Sequence, residues 1–383
     1  MKILHIIRSC DPKAGGPIEG VTQLSKCYKE LGHQLSVVTL DLDDADFVKN
    51  QTLFEVFALG SGKKSTYGYS KKLIPWLTLH CHEYDVIVIN GIWQYHSFAA
   101  HRVLIKAKKP YYIFTHGMLD PWFKRAYPLK HLKKYLYWWW GEYPVLRDAK
   151  QVLFTCEEEK IQARESFWPY RCQEQVVSYG TAGCIGDQDL QKQLFLETYP
   201  QLQGKRYLLF LSRIHPKKGV DLLIEAFSKV YSAADDTILV IAGPDQVGMQ
   251  SNLTQLAERL GVAEKIVWPG MLSGDLKWGA YLNADAFVLP SHQENFGIVV
   301  AEALSANVPV LISNKVNIWR EIVEDNAGLV ANDDLVGCES LLSQWQHIDD
   351  VAKDNMRVNA RVCFKNRYEI TKASSFLLGL FEG

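Results

Sequence analysis

Short apolar segments alternate with amphipathic segments along the chain, and this alternation restricts the possible folds most strongly. Lys2–Ile7 has the composition of a buried strand, and apolar residues then recur at three- and four-residue steps from Ile18 to Leu31, which predicts a helix. Gly32 ends this helix, and Leu35–Leu40 is the next apolar segment. Strand, helix and strand in this order predict a βαβ unit, which binds ligands beyond the carboxyl ends of parallel strands.

A second alternation of strand and helix begins at Tyr207–Leu211, after a polar stretch. A chain of 383 residues is long for one hydrophobic core, so we expect two α/β domains. We place them at residues 1–185 and 186–365, and residues 366–383 have the apolar spacing of a C-terminal helix.

Composition argues against several classes of protein. The net charge of −1 gives no sign of nucleic-acid binding, and no apolar run approaches the roughly 20 residues that span a bilayer. The eight cysteines show no Cys-x-x-Cys spacing and are typical of cytosolic thiols, neither a disulfide framework nor a zinc site. We therefore expect a cytoplasmic protein.

Two glutamates flank the start of a predicted helix in the second half. Asp285–Leu289 is an apolar strand, and Glu294 lies in the polar loop after it. Ile298–Ala306 has the composition of a helix and contains Glu302. Gly297 precedes this helix, where free backbone amides and the helix dipole favour an anion. A carboxylate, exposed backbone amides and a second carboxylate in this order are well suited to bind a sugar, its phosphates and a ribose.

A basic turn follows the first strand of the second half. Arg213 and Lys218 lie in this turn, just before a helix predicted from Val220. Arg offers a planar fork of donors and Lys a mobile charge, and the two together suit a diphosphate. A basic turn that is simply solvated is the alternative.

Gly15 and Gly16 lie in the turn after the first strand. The turn lacks Gly-x-Gly-x-x-Gly, so a dinucleotide site is disfavoured although Asp41 ends the second strand; a simple tight turn remains an alternative. Asp41 also begins an Asp-x-Asp metal pattern. Because the pattern recurs at 44–46 and 187–189, we interpret these residues as solvated loop acids.

Two other strand ends carry residues suited to a ligand. His116, followed by glycine, ends the strand predicted at Pro110–Thr115, and both a ligand contact and a structural role remain open. Met271 and Leu272 follow the strand predicted at Lys265–Trp268, where a flat base could lie against backbone and apolar side chains.

Residues 121–141 contain no acid and are rich in cations and aromatic rings. Residues 120–121 form a typical helix start, and Leu129, Leu132 and Leu136 form an apolar stripe. The basic and aromatic side chains are Trp122, Phe123, Lys124, Arg125, Tyr127, Lys130, Lys133, Lys134, Tyr135, Tyr137, Trp138, Trp139 and Trp140. Two interpretations stay open. In the first, the helix docks on an anionic membrane surface or on a lipid-linked anionic acceptor. In the second, it is partly buried and its basic face is solvated.

The order of these motifs carries a family resemblance. A basic motif, Arg213-x4-Lys218-Gly, precedes an acidic one, Glu294-x7-Glu302, with Asn-Phe-Gly-Ile between the acids. Together with the early Gly-Gly pair and the central His-Gly pair, this order resembles the retaining GT-B glycosyltransferases of the large family four. The segment 115–122 resembles members from polysaccharide-assembly clusters. The resemblance implies two Rossmann-like parallel-sheet domains facing each other across a deep cleft. The N-terminal domain would bind the acceptor and the C-terminal domain the nucleotide sugar, and the last helix would pack back towards the N-terminal domain.

The resemblance also implies roles for single residues. One group would bind the donor diphosphate: Gly15, Gly16, Arg213, Lys218, Gly297 and Ile298. A second group would bind the transferred sugar, with Glu294 and His116 as catalytic residues: His116, Glu294, Asn295, Phe296 and Gly297. A third group would bind the ribose and the base: Glu302, Met271 and Leu272.

The implied reaction is retaining, metal-independent transfer of a hexose, with glucose from a UDP-sugar as the preferred donor and GDP and ADP sugars left open. The acceptor would be a saccharide or lipid-linked saccharide in polysaccharide or exopolysaccharide biosynthesis, and the protein would lie in the cytoplasm or peripherally on the inner face of the membrane. The departing diphosphate gathers negative charge, which preorganised donors stabilise without a metal or other cofactor. A nucleotide-sugar epimerase, a sugar phosphorylase of the same fold, and a non-catalytic nucleotide-sugar-binding subunit are the alternatives.

Overall fold

A computed structural model of the chain describes residues 1–60, 66–121, 124, 128–177, 179–231 and 235–383. The chain divides into two compact units. The first unit contains Met1–Gly180 together with Ile370–Gly383, and the second contains Thr181–Glu369. Each unit is built on one parallel sheet, so the α/β prediction is confirmed.

The first unit has a seven-stranded parallel sheet in the order β3-β2-β1-β4-β5-β6-β7. Its strands are β1 (Lys2–Ile7), β2 (Gln34–Thr39), β3 (Glu55–Ala58), β4 (Val86–Asn90), β5 (Tyr112–Phe114), β6 (Gln151–Phe154) and β7 (Glu174–Val176). Its described helices are α1 (Gly16–Glu30), α2 (Asp46–Lys49), α3 (Leu73–His80), α4 (Tyr95–Lys106), α5 (Pro128–Trp138), α6 (Glu142–Arg147), α7 (Glu157–Arg164) and, at the end of the chain, α16 (Ile370–Glu382).

The second unit has a six-stranded parallel sheet in the order β10-β9-β8-β11-β12-β13. Its strands are β8 (Tyr207–Leu211), β9 (Ile238–Ala242), β10 (Ile266–Gly270), β11 (Ala286–Leu289), β12 (Val310–Ser313) and β13 (Gly328–Ala331). Its described helices are α8 (Gln188–Thr198), α9 (Val220–Val230), α10 (Gln250–Arg259), α11 (Gly274–Leu282), α12 (Ile298–Ser305), α13 (Trp319–Glu324), α14 (Leu335–His347) and α15 (Asp350–Cys363).

The central strands of both sheets are buried along their length, which explains their continuous apolar sequences. Every residue of β4, β8, β9 and β11 is buried. Strands covered by helices on both faces need apolar side chains at successive positions and not only at alternate ones. The sequence analysis did not predict the strand β3, because this strand is only half-buried and starts with an exposed glutamate.

Strand register brings several chain turns to one edge of the first sheet. Asn90, the last residue of β4, pairs with Ile7 at the end of β1 and with Phe114 at the end of β5. The turns that follow these strands therefore begin at the same level, at the carboxyl edge where parallel sheets bind ligands.

The last helix belongs to the first unit. The Tyr112 hydroxyl donates a hydrogen bond to the Leu380 carbonyl at 3.0 Å, and the Tyr112 and Phe381 rings lie 4.8 Å apart. Phe364–Tyr368, a π-helical turn, precedes it in the second unit. Among the described residues, no helix is both long and apolar enough to cross a bilayer.

Candidate functional site

The basic turn after β8 is held against the end of β11. It contains a short 3-10 turn, Pro216–Lys218, and Gly219 with φ of 66° starts α9. A Cβ atom on Gly219 would lie 2.3 Å from the Pro290 carbonyl oxygen, so only glycine fits this close approach. The pKa of His215 in this turn is lowered by burial and then by neighbouring cations, which keeps its ring neutral.

Lys218 and Glu294 form an ion pair at the centre of this arrangement. Only 6% of Lys218 is exposed, and its Nζ donates to Glu294 Oε2. The two loops are also joined through the Lys217 carbonyl, which accepts hydrogen bonds from Ser291 Oγ and the His292 amide, each at 2.8 Å. The structure therefore brings together two residues that the sequence placed in separate motifs.

The loop that carries Glu294 is fixed by backbone bonds before α12 begins. The Glu294 amide donates to the Lys315 carbonyl at 2.9 Å, and the Asn317 amide donates to the Glu294 carbonyl at 3.0 Å. Gly297 adopts φ of 68° and caps α12, and a Cβ there would lie 3.1 Å from Glu294 Cγ. The first amides of α12 thus begin immediately beside the Glu294 side chain.

The side chains of the two residues after Glu294 contact residues from later parts of the chain. Asn295 Oδ1 accepts a hydrogen bond from Asn317 Nδ2 at 3.4 Å. Phe296 is buried, with its ring edge-on to Tyr368 at 5.5 Å. Any contact of Phe296 with a ligand would therefore use its backbone.

Glu302, on α12, is buried between two side chains of α11. Lys277 Nζ lies 2.7 Å from Glu302 Oε1, and the Tyr281 hydroxyl donates to Glu302 Oε2 at 3.2 Å. Burial, and then the Glu302 carboxylate, raise the pKa of Tyr281 well above its ordinary value, so the phenol stays a donor. Sequence reasoning missed both partners, although their four-residue spacing on one helix face was a usable signal.

Three other predicted residues of the second unit differ in their exposure to solvent. Arg213 is exposed, and its Nη1 donates to Gln246 Oε1 at 3.2 Å and not to Glu294. Met271 is exposed just beyond the end of β10, whereas the Leu272 side chain is buried.

The glycine loop of the first unit is anchored by an acid. Gly15 has φ of 97°, and a Cβ on Gly15 or on Gly16 would meet no atom within 4 Å. Asp41 accepts hydrogen bonds from Ser9 Oγ and the Cys10 amide, each at 2.7 Å. The interpretation of Asp41 as a solvated loop acid is therefore wrong, because its carboxylate fixes the loop that leads to Gly15.

Asp187, which belongs to another of the Asp-x-Asp patterns, also has a structural role. Asp187 caps α8 and accepts hydrogen bonds from the amides of Asp189 and Leu190, each at 3.1 Å. Its carboxylate satisfies amides that have no partner within the helix.

His116 follows β5 in a left-handed backbone conformation, with φ of 49°, and Gly117 follows with φ of 71°. The buried Glu159 holds this turn. Its Oε1 accepts from the Gly117 amide at 2.6 Å and from Thr115 Oγ1 at 2.7 Å. Sequence reasoning missed Glu159, because it lies on α7, far along the chain from His116.

The His116 ring is neutral and packs against two aromatic rings. It stacks on Phe114 at 5.3 Å and meets the edge of Tyr179 at 5.9 Å. Burial lowers the pKa of His116 to about 3, with His5 and His96 adding to the effect. Its ring can therefore exchange hydrogen bonds with a ligand without carrying charge at neutral pH.

The leucine stripe of α5 faces away from the core. Leu129, Leu132 and Leu136 are 83%, 59% and 68% exposed. The opposite face packs inward, where the buried Trp138 donates its indole N–H to the Pro169 carbonyl at 2.8 Å. Trp122, Phe123, Arg125 and Tyr127, which the sequence assigned to the same segment, lie outside the described residues.

A cavity of about 670 Å³ lies beside the inward face of α5. Aromatic and charged side chains line it: Lys124, His131, Tyr135, Arg164, Glu165, Phe167, Trp168, Tyr170, Arg171 and Glu174. Among the described residues, no group of three or more His, Cys, Asp or Glu side chains is placed to hold a metal ion.

Two family models match the chain. The model described as glycosyl transferases group 1 matches residues 193–339, and the model described as glycosyl transferase 4-like domain matches residues 15–180. The matched regions cover the basic turn and both glutamates in one unit, and the glycine loop and His116 in the other.

Two curated relatives share part of the sequence. An uncharacterized glycosyltransferase of Methanocaldococcus jannaschii, MJ1607, is 34% identical over 146 residues, which are 37% of each chain. A D-inositol 3-phosphate glycosyltransferase of Mycolicibacterium gilvum is 35% identical over 108 residues, which are 28% of this chain and 24% of that protein. The matches therefore span 37% and 24% of these relatives' own length.

Solved structures match over the whole chain. Anabaena Alr3699/HepE, in complex with UDP and glucose, superposes with a TM-score of 0.79 at 17% identity, covering 100% of this chain and 99% of that one. WaaG, a glycosyltransferase involved in lipopolysaccharide biosynthesis, gives 0.69 at 17% identity with 100% of both chains covered. At this identity the likeness concerns the fold, which is that of the GT-B glycosyltransferases.

Proposed function

The chain belongs to the group 1 glycosyltransferases, and on that premise we propose that it transfers a hexose, with glucose as the sugar, from a UDP-sugar to a saccharide or lipid-linked saccharide. We propose further that transfer retains the anomeric configuration, needs no metal and serves polysaccharide synthesis. The observation that carries this proposal is the pairing of each site glutamate with a lysine: Glu294, just before α12, with Lys218, and Glu302, within α12, with Lys277. The complex of Alr3699/HepE with UDP and glucose supports the choice of donor.

Lys218 would bind the diphosphate. In the free protein its buried charge is balanced by Glu294. An ammonium group has three donors, so Lys218 can hold a phosphate oxygen while keeping its contact with the carboxylate. Arg213 is exposed at the same turn and would swing from Gln246 to the phosphates. The amides of Gly297 and Ile298 would complete the cradle.

Glu294 would accept hydrogen bonds from hydroxyls of the sugar, assisted by Asn295 and by the backbone of Phe296 and Gly297. The Lys218 ammonium would hold the Glu294 carboxylate in place, because the two groups are in direct contact. His116, together with the amides of Gly15 and Gly16, would act on the same donor.

Glu302 would bind the ribose. Each of its oxygens has one partner, Lys277 or Tyr281, and each oxygen can accept a second hydrogen bond. The two ribose hydroxyls match that remaining capacity. Met271 would lie against the base, with Leu272 contributing its backbone.

Stabilisation of the leaving diphosphate would drive the reaction. Negative charge grows on the β-phosphate as its bond to the sugar breaks, and preorganised donors lower the barrier by about 3 kcal/mol each. In a same-face mechanism, the departing phosphate would take the proton of the acceptor hydroxyl. Two contacts support this assignment: Lys218 contacts the Glu294 side chain, and Gly297, which caps α12, lies beside the same side chain.

Product analysis tests the proposed function. UDP-glucose is incubated with saccharide acceptors, with and without a chelator, and the products are identified by NMR. The expected result is UDP release that requires an acceptor, an α-linked product and full activity with the chelator. Turnover without acceptor would indicate an epimerase, and turnover that depends on inorganic phosphate would indicate a phosphorylase. The absence of any turnover would indicate a binding subunit.

We also propose that α5 docks on an anionic membrane surface. The stripe of Leu129, Leu132 and Leu136 is exposed, and Lys133 and Lys130 follow it around the helix. Apolar side chains beside cations match an anionic lipid interface, where each lysine contributes about 1 kcal/mol.

Liposome flotation checks this docking. Replacing Leu132 and Leu136 with Asp is expected to reduce binding to anionic vesicles at least about tenfold, since it removes apolar contact and adds repulsion. Leu79→Asp is the matched control, because Leu79 is also exposed, at 73%, on α3. Equal flotation of the double variant and the control would contradict the proposal.

A further inference from the structure

Asn90 lies at the centre of a polar network at the carboxyl edge of the first sheet. The residue is only 4% exposed. Its Nδ2 is 3.0 Å from His5 Nδ1, and its Oδ1 is 3.2 Å from His116 Nε2. Its backbone carbonyl accepts a third contact, from His96 Nε2 at 2.8 Å. A buried amide that joins three histidines is costly to maintain in an apolar core unless each contact is matched.

The orientation of the Asn90 amide follows from its surroundings. The Nδ2 atom also faces the Val88 carbonyl at 3.5 Å, where an oxygen would be repelled. Oδ1 therefore faces His116. Because an amide oxygen only accepts hydrogen bonds, His116 Nε2 must carry the ring proton. The other ring nitrogen, Nδ1, is then a lone-pair acceptor.

The groups around the ring keep His116 in this neutral form. His5 from β1, His96 from α4 and the Tyr179 phenol face it, and none of them is an anion. The carboxylate of Glu159 is committed to Thr115, Thr155 and the Gly117 amide. Burial holds the pKa of His116 far below its ordinary value.

We propose that Asn90 is a positioning residue that fixes the tautomer of His116, so that Nδ1 accepts a hydrogen bond from a hydroxyl group of the transferred sugar. This inference rests on the proposed function, in which His116 contacts the sugar. It gives Asn90 a role in sugar specificity: a donor without the matching hydroxyl gains nothing from Asn90.

The first test reads the tautomer directly and needs no activity. In the protein labelled with ¹⁵N at histidine, NMR is expected to show a neutral His116 ring across pH 6 to 8, because burial lowers the pKa of His116 to about 3. The single ring proton is expected on Nε2, because Asn90 Oδ1 accepts from that nitrogen. A proton on Nδ1 would overturn the proposal. Since this measurement is independent of transfer, it remains informative if the proposed glycosyltransferase activity is not found.

The second test changes the charge beside the ring. Asn90→Asp keeps the size and the acceptor but adds an anion, which raises the pKa of His116 towards neutrality. Below that raised pKa, Nδ1 becomes protonated and can no longer accept. We therefore expect kcat/KM for the hexose donor to fall as the pH is lowered through this value, an inflection that the wild type lacks.

The third test removes the acceptor. Asn90→Leu is expected to lower kcat/KM for the hexose donor about tenfold, the effect of losing one well-placed hydrogen bond to a buried group. In a series of deoxy-sugar donors, each lacking one hydroxyl, the effect should be smaller with the donor that lacks the matching hydroxyl. Asn50→Asp, at an exposed position after α2, is the control and should change neither profile. Circular dichroism verifies folding, and Asn90→Asp, the near-isosteric variant, decides if Asn90→Leu does not fold. An unchanged pH profile in folded Asn90→Asp would contradict the proposal.

Discussion

Lys218→Met is expected to lower kcat/KM for sugar transfer about 10²–10³-fold, the usual effect of removing one preorganised donor from a developing negative charge. The side chain is almost fully buried, so methionine fills a similar volume while removing the ammonium group. The loss has two parts: the diphosphate loses its cation, and Glu294 loses the partner that orients it. Initial rates of UDP release in the presence of acceptor measure the effect.

A second lysine–glutamate pair in the same unit provides the control. Lys229 pairs with Glu339 on the surface, with both side chains substantially exposed, and such pairs contribute little to stability. Lys229→Met should leave transfer within about twofold of the wild type. The double variant Lys218→Met/Glu294→Gln removes both partners of the buried pair and separates folding from chemistry. We expect it to regain stability without regaining activity; equal rates for Lys218→Met and Lys229→Met would contradict the role of Lys218.

Glu302→Gln should weaken binding of UDP and of uridine alike, about 10-fold to 100-fold, because the hydrogen bonds of a charged group to the ribose contribute about 1.5–3 kcal/mol. Lys277 loses its ionic partner at the same time, which adds to the effect. Calorimetry with the two ligands measures it, and Glu339→Gln is the matched control. The comparison with Lys218→Met is informative, since that variant should weaken the binding of UDP but leave the binding of uridine unchanged. Unaltered uridine binding in Glu302→Gln would show that Glu302 does not bind the ribose.

Much of the fold could be predicted from short-range patterns. Strands such as β8 and β11 are buried on both faces, so their apolar composition is uninterrupted and easy to detect. Glycine also leaves a clear signal where the backbone requires it, as at Gly219 and Gly297, which both adopt positive φ beside the candidate site. The two motifs they belong to were predicted from their charged residues and from the strand and helix on either side.

The remaining features depend on contacts between distant parts of the chain. The spacing of Lys277 and Tyr281 places both side chains on one face of α11, but only the tertiary structure brings that face to Glu302 on α12. Glu159 supports the His116 turn from another helix in the same way. The leucine stripe of α5 shows a different limit: periodicity reveals an apolar face, but not whether that face meets the core or the solvent.

The most direct measurement is calorimetric titration of UDP and of uridine into the wild type and Lys218→Met, with a chelator present throughout. The central claim is that a cationic turn and the amides of α12 together hold the diphosphate. It predicts that UDP binds the wild type at least about tenfold more tightly than uridine does, and that Lys218→Met loses most of this difference. Equal affinities for UDP and uridine in the wild type, or a preference for UDP that appears only when a divalent cation is restored, would contradict it.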